Sequence, residues 1–225
     1  MLKAMNTNLI SYKASSTQAP TALIMLPGAK DKPQDFVDNH FIDLLQKQNL
    51  PIDVFIPNAH MDYYLEKTID SYLHHKVVAP ISNQGYINIW LLGISLGGFG
   101  ALSYIEKYPG KISGAVLLAP FLGTRGFIAK VAQKGGIDAW PPELLDMTDD
   151  EHRVLRWLQG YDDKNPLMPK LYLAYGKEDR FAMASQLMEN KLPSERCLSL
   201  SGGHDWATWQ TLWKELLIKV SFTDS

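Results

Sequence analysis

Residues 91–102 read LLGISLGGFGAL, and within them one serine stands between two glycines, as Gly93-Ile94-Ser95-Leu96-Gly97. An apolar run ends there and small, helix-compatible residues follow. If the run is a strand and the continuation a helix, Ser95 occupies the corner between them. Such a corner strains the serine backbone and brings the residues two before and two after it together. Glycine at 93 and 97 removes the Cβ atoms that would collide. The hydroxyl is then lifted above the carboxyl end of the strand. The N–H of Leu96, at the head of the helix, faces an oxyanion forming beside Ser95. The chemistry this pattern predicts is nucleophilic attack on an acyl group.

A serine hydroxyl attacks poorly unless a base takes its proton. Of the six histidines, His204 lies in GGHDWATW, straight after an apolar run, where glycines let the chain turn back. His40, His60, His74, His75 and His152 read as exposed or capping residues, and no H-E-x-x-H or other metal-ligand spacing is present. The base in turn needs an acid to fix its tautomer and stabilise the imidazolium. LYLAYGKEDRF offers Glu178 and Asp179 just past a strand-like run, and Asp179 is the better placed. An N-cap role for a helix over 181–190 is its structural alternative. Asp205 is a weaker rival, because side chains adjacent at a helix start diverge. A second oxyanion donor is expected in LPGAKDKPQDF, where Gly28 permits a turn that aims the Ala29 N–H.

These residues need a frame. Near-continuous apolar runs predict buried strands at 21–27, 52–58, 87–93, 113–120, 170–176 and 196–201, with an earlier one in 8–14. Helical periodicity predicts helices at 34–48, 64–77, 96–108, 181–190 and 205–220. In the last of these, Trp206, Trp209, Leu212, Trp213, Leu216 and Leu217 form an apolar stripe that packs the helix onto the sheet. Alternation of strand and helix predicts an α/β fold, a mostly parallel sheet covered by helices on both faces. The interval from Pro120 to Lys170 breaks the alternation. It predicts a small helical insertion over 124–168, in which Thr148 and Glu151 form a capping box.

The chain has 225 residues and a hydrophobic fraction of 46%, enough for one domain, 1–225, with its own core. A net charge of −2 argues against a nucleic-acid partner. The single cysteine, Cys197, forms no intramolecular disulfide and reads as a small core residue. The opening MLKAMNTNLISYKAS lacks the apolar segment of a secretory leader, and no run is long enough to span a bilayer. A cytoplasmic protein is expected.

Together, GISLG at 93–97, Asp179 and the GGHDWATW ending resemble the α/β-hydrolase superfamily, and the likeness runs from ALIMLPGA to the last helix. The ending further resembles the esterase branch that includes S-formylglutathione hydrolases and mycolyltransferase-like enzymes. The resemblance implies an α/β-hydrolase fold with a helical cap. It also implies Ser95 as nucleophile, Asp179 as acid, His204 as base, and Leu96 and Ala29 as the oxyanion hole. Where many members carry His-Gly before the oxyanion loop, this chain has Pro27-Gly28.

The expected activity is that of a serine carboxylesterase or thioesterase, needing neither metal nor organic cofactor. Its rate should rise with pH through about 6–7, where an ordinary histidine becomes a free base. The partner is a small ester or thioester, with an acyl carrier as a further possibility. Phe121, Leu122, Trp140, Trp157 and Phe181 are the expected acyl-pocket residues. Ser95 at the corner rules against a dehalogenase, which needs an acid there. An acyltransferase of the same fold and a non-catalytic binding protein remain the alternatives.

Overall fold

The computed structural model describes residues 9–15 and 18–222. Seven strands form one sheet: β1 Leu9–Tyr12, β2 Thr21–Leu26, β3 Ile52–Pro57, β4 Asn88–Ile94, β5 Gly114–Leu118, β6 Lys170–Gly176 and β7 Cys197–Leu200. Their order across the sheet is β1-β3-β2-β4-β5-β6-β7. All neighbouring pairs are parallel except β1 with β3, which run antiparallel at the edge. Every residue of β2, β3, β4 and β5 is buried, as strands covered on both faces must be. The first predicted strand, 8–14, is realised as β1, although Asn8 lies outside the described residues.

The helices are α1 Pro33–Asp38, α2 Phe41–Lys47, α3 Met61–Leu65, α4 Ile69–Tyr72, α5 Ala79–Ser82, α6 Leu96–Lys107, α7 Arg125–Gln133, α8 Asp150–Gln159, α9 Ala182–Glu189 and α10 Trp206–Leu216. One group, α4, α6 and α8, packs together, and α2 packs against α10. The α2–α10 contact is fixed by Trp213, whose ring stacks on Phe41 and whose indole N–H donates to the Phe41 carbonyl. No helix among the described residues is long and apolar enough to cross a membrane.

Three local expectations are corrected. The helix over 34–48 breaks at His40, which takes φ +61 and separates α1 from α2. The helix over 64–77 breaks at Lys67, φ +55, and resumes as α4, a π-helical turn over Leu73–Val78, and α5. The capping box does not form: Asp149 caps α8 by accepting from the N–H groups of Glu151 and His152. Thr148 instead donates to Asp146, and the Glu151 carboxylate accepts from the Thr124 N–H. Asp149, one residue later, takes the cap position expected of Thr148, and Asp146 takes the Thr148 N–H that Glu151 would have accepted from.

Cys197 opens β7, buried, and burial pushes its thiol up to about 11, so the sulfur stays protonated and inert at neutral pH.

Candidate active site

Strand β4 passes into α6 through Ser95, whose φ of +51 and ψ of −114 lie where side chains rarely sit. A Cβ at Gly93 would stand 2.4 Å from the Gly97 carbonyl oxygen, and one at Gly97 would stand 2.2 Å from the Leu26 carbonyl oxygen. Neither glycine position tolerates a side chain, which is the collision the sequence pattern anticipates. The corner is clamped from a neighbouring strand: the Ser95 N–H donates to Leu118 of β5, and the Ser95 carbonyl accepts from the Phe121 N–H.

His204 and Asp179 arrive from the carboxyl ends of the next two strands. Asp179 follows β6, and His204 follows β7 in the loop before α10. The loops are pressed together: a Cβ at Gly176 would meet the Gly202 carbonyl oxygen at 2.1 Å, and the Glu178 N–H donates to that same oxygen. The Glu178 carboxylate accepts from the Gly202 N–H. Glu178 therefore ties down the loop that carries His204.

The three side chains meet. His204 Nε2 lies 2.9 Å from Ser95 Oγ, and its Nδ1 lies 2.6 Å from Asp179 Oδ2. A carboxylate can only accept, so Nδ1 carries the proton and Nε2 is left to accept from the serine hydroxyl. The Asp179 side chain is fully buried, and its second oxygen accepts from the Phe181 N–H at 2.7 Å. Asp179 orders the turn before α9 without capping it, since the N-cap position falls to Phe181 and no side chain caps that helix, and it also holds the imidazole. Asp205 has a different task, capping α10 through the Thr208 N–H.

The imidazole is also packed. Phe181 and Trp209 each meet it edge-on, with ring centroids 5.0 Å away. Trp209 is more than sheet packing, because it forms part of the wall around His204. Trp206 is likewise reassigned: its indole N–H donates to Asp31 Oδ1 at 3.1 Å. Burial raises the Asp31 carboxyl above its ordinary range, against the indole and Gly28 backbone hydrogen bonds that lower it. Asp31 closes the loop 28–31 through an N–H bond to the Gly28 carbonyl. The α10 apolar stripe predicted Trp206 as packing only, and no local signal marks its partner 175 residues away.

The expected oxyanion donors lie beside this corner. Leu96 is the first residue of α6, where N–H groups have no partner in the helix ladder. Gly97 abuts the end of β2 and Gly28 approaches the Ile94 carbonyl, so the loop carrying Ala29 borders the serine corner.

An apolar cavity of about 270 Å³ lies on the other side, between Phe121 and Phe181. Leu122, Ile128 and Ala184 also line it. Of the expected pocket residues, Phe121, Leu122 and Phe181 are there. Trp140 and Trp157 are not. Trp140, ahead of α8, is buried against Phe127, and Trp157, on α8, is half-buried against Tyr161, so both rings pack within the segment between β5 and β6. Among the described residues no cluster of three or more metal-ligating side chains occurs.

Residues 68–221 match the family model described as serine aminopeptidase, S33. No curated protein sequence matches the chain. Among solved structures, a ferulic acid esterase is similar with a TM-score of 0.61 at 18% identity, over 90% of this chain and 84% of that one. An S-formylglutathione hydrolase from Staphylococcus aureus has a TM-score of 0.61 at 15% identity, over 97% and 98%. Est1E from Butyrivibrio proteoclasticus has a TM-score of 0.60 at 15% identity, over 96% and 93%. At these identities the likeness is one of fold.

Proposed function

This chain belongs to the serine aminopeptidase (S33) family of α/β-hydrolases, and from that membership we propose that it cleaves a carboxylic ester or thioester through an acyl-serine intermediate. The observation that carries this reading is the hydrogen-bonded line Ser95–His204–Asp179, with the hydroxyl and the imidazole at 2.9 Å. Nucleophile and base are within direct proton-transfer reach, and the base is oriented by a buried acid.

The reaction runs in two halves. Ser95 Oγ attacks the acyl carbon while its proton moves to His204 Nε2. The carbonyl electrons move to oxygen, and the N–H groups of Leu96 and Ala29 receive that oxyanion. The oxyanion collapses, the alcohol or thiol leaves, and His204 returns the proton to it. Water then adds to the acyl-serine by the same route, releasing the acid and restoring Oγ–H. Asp179 stays ionised throughout and stabilises the imidazolium. The insertion over 124–168 serves as a small helical cap, its first helix supplying Ile128 to the cavity wall.

A fluorophosphonate probe tests the reading directly. Stoichiometric labelling that disappears in Ser95→Ala, together with hydrolysis of p-nitrophenyl esters, is the expected result. Absence of labelling in the folded protein overturns it. Adding an alcohol acceptor and analysing products separates hydrolysis from acyl transfer, which the same three side chains would also support.

A further inference from the structure

The cavity between Phe121 and Phe181, one ring away from His204, is apolar within and cationic at its edge. Arg125 and Arg180 both line it, and both guanidiniums rest against the Phe181 ring, at 5.3 and 4.9 Å from its centroid. They arrive from separate elements: Arg125 is the first residue of α7, and Arg180 lies in the turn before α9. The same Phe181 meets the His204 imidazole edge-on. One ring therefore separates the reacting centre from two positive charges.

The chain has five arginines. Arg153 pairs with Asp70, Glu106 and Asp150, Arg196 pairs with Asp163, and Arg156 reaches the Gln159 side chain. Among the described residues Arg125 and Arg180 have no carboxylate partner, and both are exposed. The carboxylates close to them are engaged elsewhere. Glu151, against Gly123 at the cavity lip, accepts from the Thr124 N–H. Glu178 accepts from the Gly202 N–H, and Asp179 holds His204 and the Phe181 N–H. Two guanidiniums on one ring, neither with a carboxylate partner among the described residues, offer donors to an anion, and guanidinium is the side chain best suited to carboxylate or phosphate oxygens.

We propose that the ester cleaved at Ser95 carries a negative charge on the arm that fills this cavity, a short apolar segment ending in a carboxylate or phosphate held by Arg125 and Arg180. This rests on the hydrolase reading above. The apolar walls take the segment, and the two guanidiniums take the anion at the mouth.

The test uses matched esters of equal length, one ending in a carboxylate or phosphate and the other in a neutral methyl ester or methyl group. One series carries the difference on the acyl arm and one on the alcohol arm. In one of the two series the wild-type enzyme should favour the charged ester in kcat/KM by about 10- to 50-fold, the size expected when two guanidiniums each give charge-assisted hydrogen bonds to one anion. The gain should lie mainly in KM and shrink as sodium chloride is raised. Comparing carboxylate with phosphate termini identifies the anion. In the Arg125→Gln/Arg180→Gln double variant the charged-to-neutral ratio should fall to near one, and Arg125→Lys/Arg180→Lys should restore part of it.

No charged preference in either series overturns the proposal, as does a preference that survives the double variant or is indifferent to salt. Fluorophosphonate labelling of wild-type Ser95 is measured in parallel. If it fails, the hydrolase reading fails; if it succeeds without an anionic preference, only the substrate assignment falls.

Discussion

Asp53 and Asp179 are both carboxylates whose side chains are fully buried, at opposite ends of the same sheet. Asp53 lies near the start of β3. It accepts from Lys13 Nζ at 2.8 Å, from the Tyr86 hydroxyl at 2.7 Å and from the Ala14 N–H at 2.9 Å. Asp179 lies past the end of β6. One of its oxygens has a backbone donor, and the other has an imidazole whose far nitrogen faces a serine. Every partner of Asp53 is a group that keeps its proton at neutral pH, so the pairing straps the segment after β1 to the sheet. One partner of Asp179 can gain and lose a proton on its far side. Equal burial thus yields a fastening in one place and, in the other, a hydrogen-bonded line to a serine that we propose is catalytic, and the difference lies in what the carboxylate faces.

The comparison can be broken most severely at Asp179. In Asp179→Asn the amide can donate to Nδ1 and favours the other tautomer, placing the proton on Nε2, where it blocks transfer from Ser95. The expected loss in kcat is about 10⁴-fold, with a thermal midpoint close to wild type. A variant that retains most of its activity would mean the carboxylate does not govern the imidazole.

Asp53→Asn should do the reverse. It should cost about 2–4 kcal/mol of stability in urea unfolding, because it leaves the Lys13 cluster unbalanced, with kcat unchanged in the folded protein. Burial opposes the Asp53 charge, but the hydrogen bonds from Lys13, Ala14 and Tyr86 outweigh it and hold the carboxyl below its usual range. A depressed carboxyl contributes stability above its unfolded value and loses it as pH falls through the folded one. The gap between wild type and Asp53→Asn should therefore be full at neutral pH and narrow below about pH 4. A gap that stays constant down to acid unfolding would remove Asp53 from that role.

A smaller effect is expected at Trp206→Phe, which deletes the indole donor to Asp31 while keeping most of the ring packing. Loosening the loop that carries Ala29 should lower kcat/KM by about 3- to 10-fold, the scale of one hydrogen bond. Identical kinetics would show that Asp31 holds the loop without that donor.

Much of the site was legible because its signals are local. GISLG predicts its own corner, and six apolar runs predict their strands to within two residues, since in the central strands β2 to β5 burial on both faces leaves no room for polar alternation. His204 and Asp179 could be chosen because each follows a strand whose end is marked by glycine. What escaped was tertiary. Glu178 grips the Gly202 N–H from a neighbouring loop, Trp209 walls the imidazole, and Trp206 reaches Asp31 across the chain. Periodicity places these tryptophans on the buried face of a helix but says nothing about which side chain lies opposite. Trp140 and Trp157 lie away from the cavity for the same reason, because an aromatic residue between β5 and β6 packs against its own neighbours, Phe127 and Tyr161, as readily as against a cavity. The breaks at His40 and Lys67 required left-handed backbone in residues that rarely adopt it.

The backbone of Ser95 has a further consequence. At φ +51 every residue with a β-carbon is uncomfortable, and only glycine rests there without penalty. Ser95→Gly should accordingly be inactive yet more durable than its parent, by about 1 kcal/mol after the added freedom of the unfolded chain is counted. Calorimetry would show it as a slightly higher melting temperature. The molecule then carries backbone strain at a residue we propose it needs in order to act, and selection for robustness alone would replace that residue.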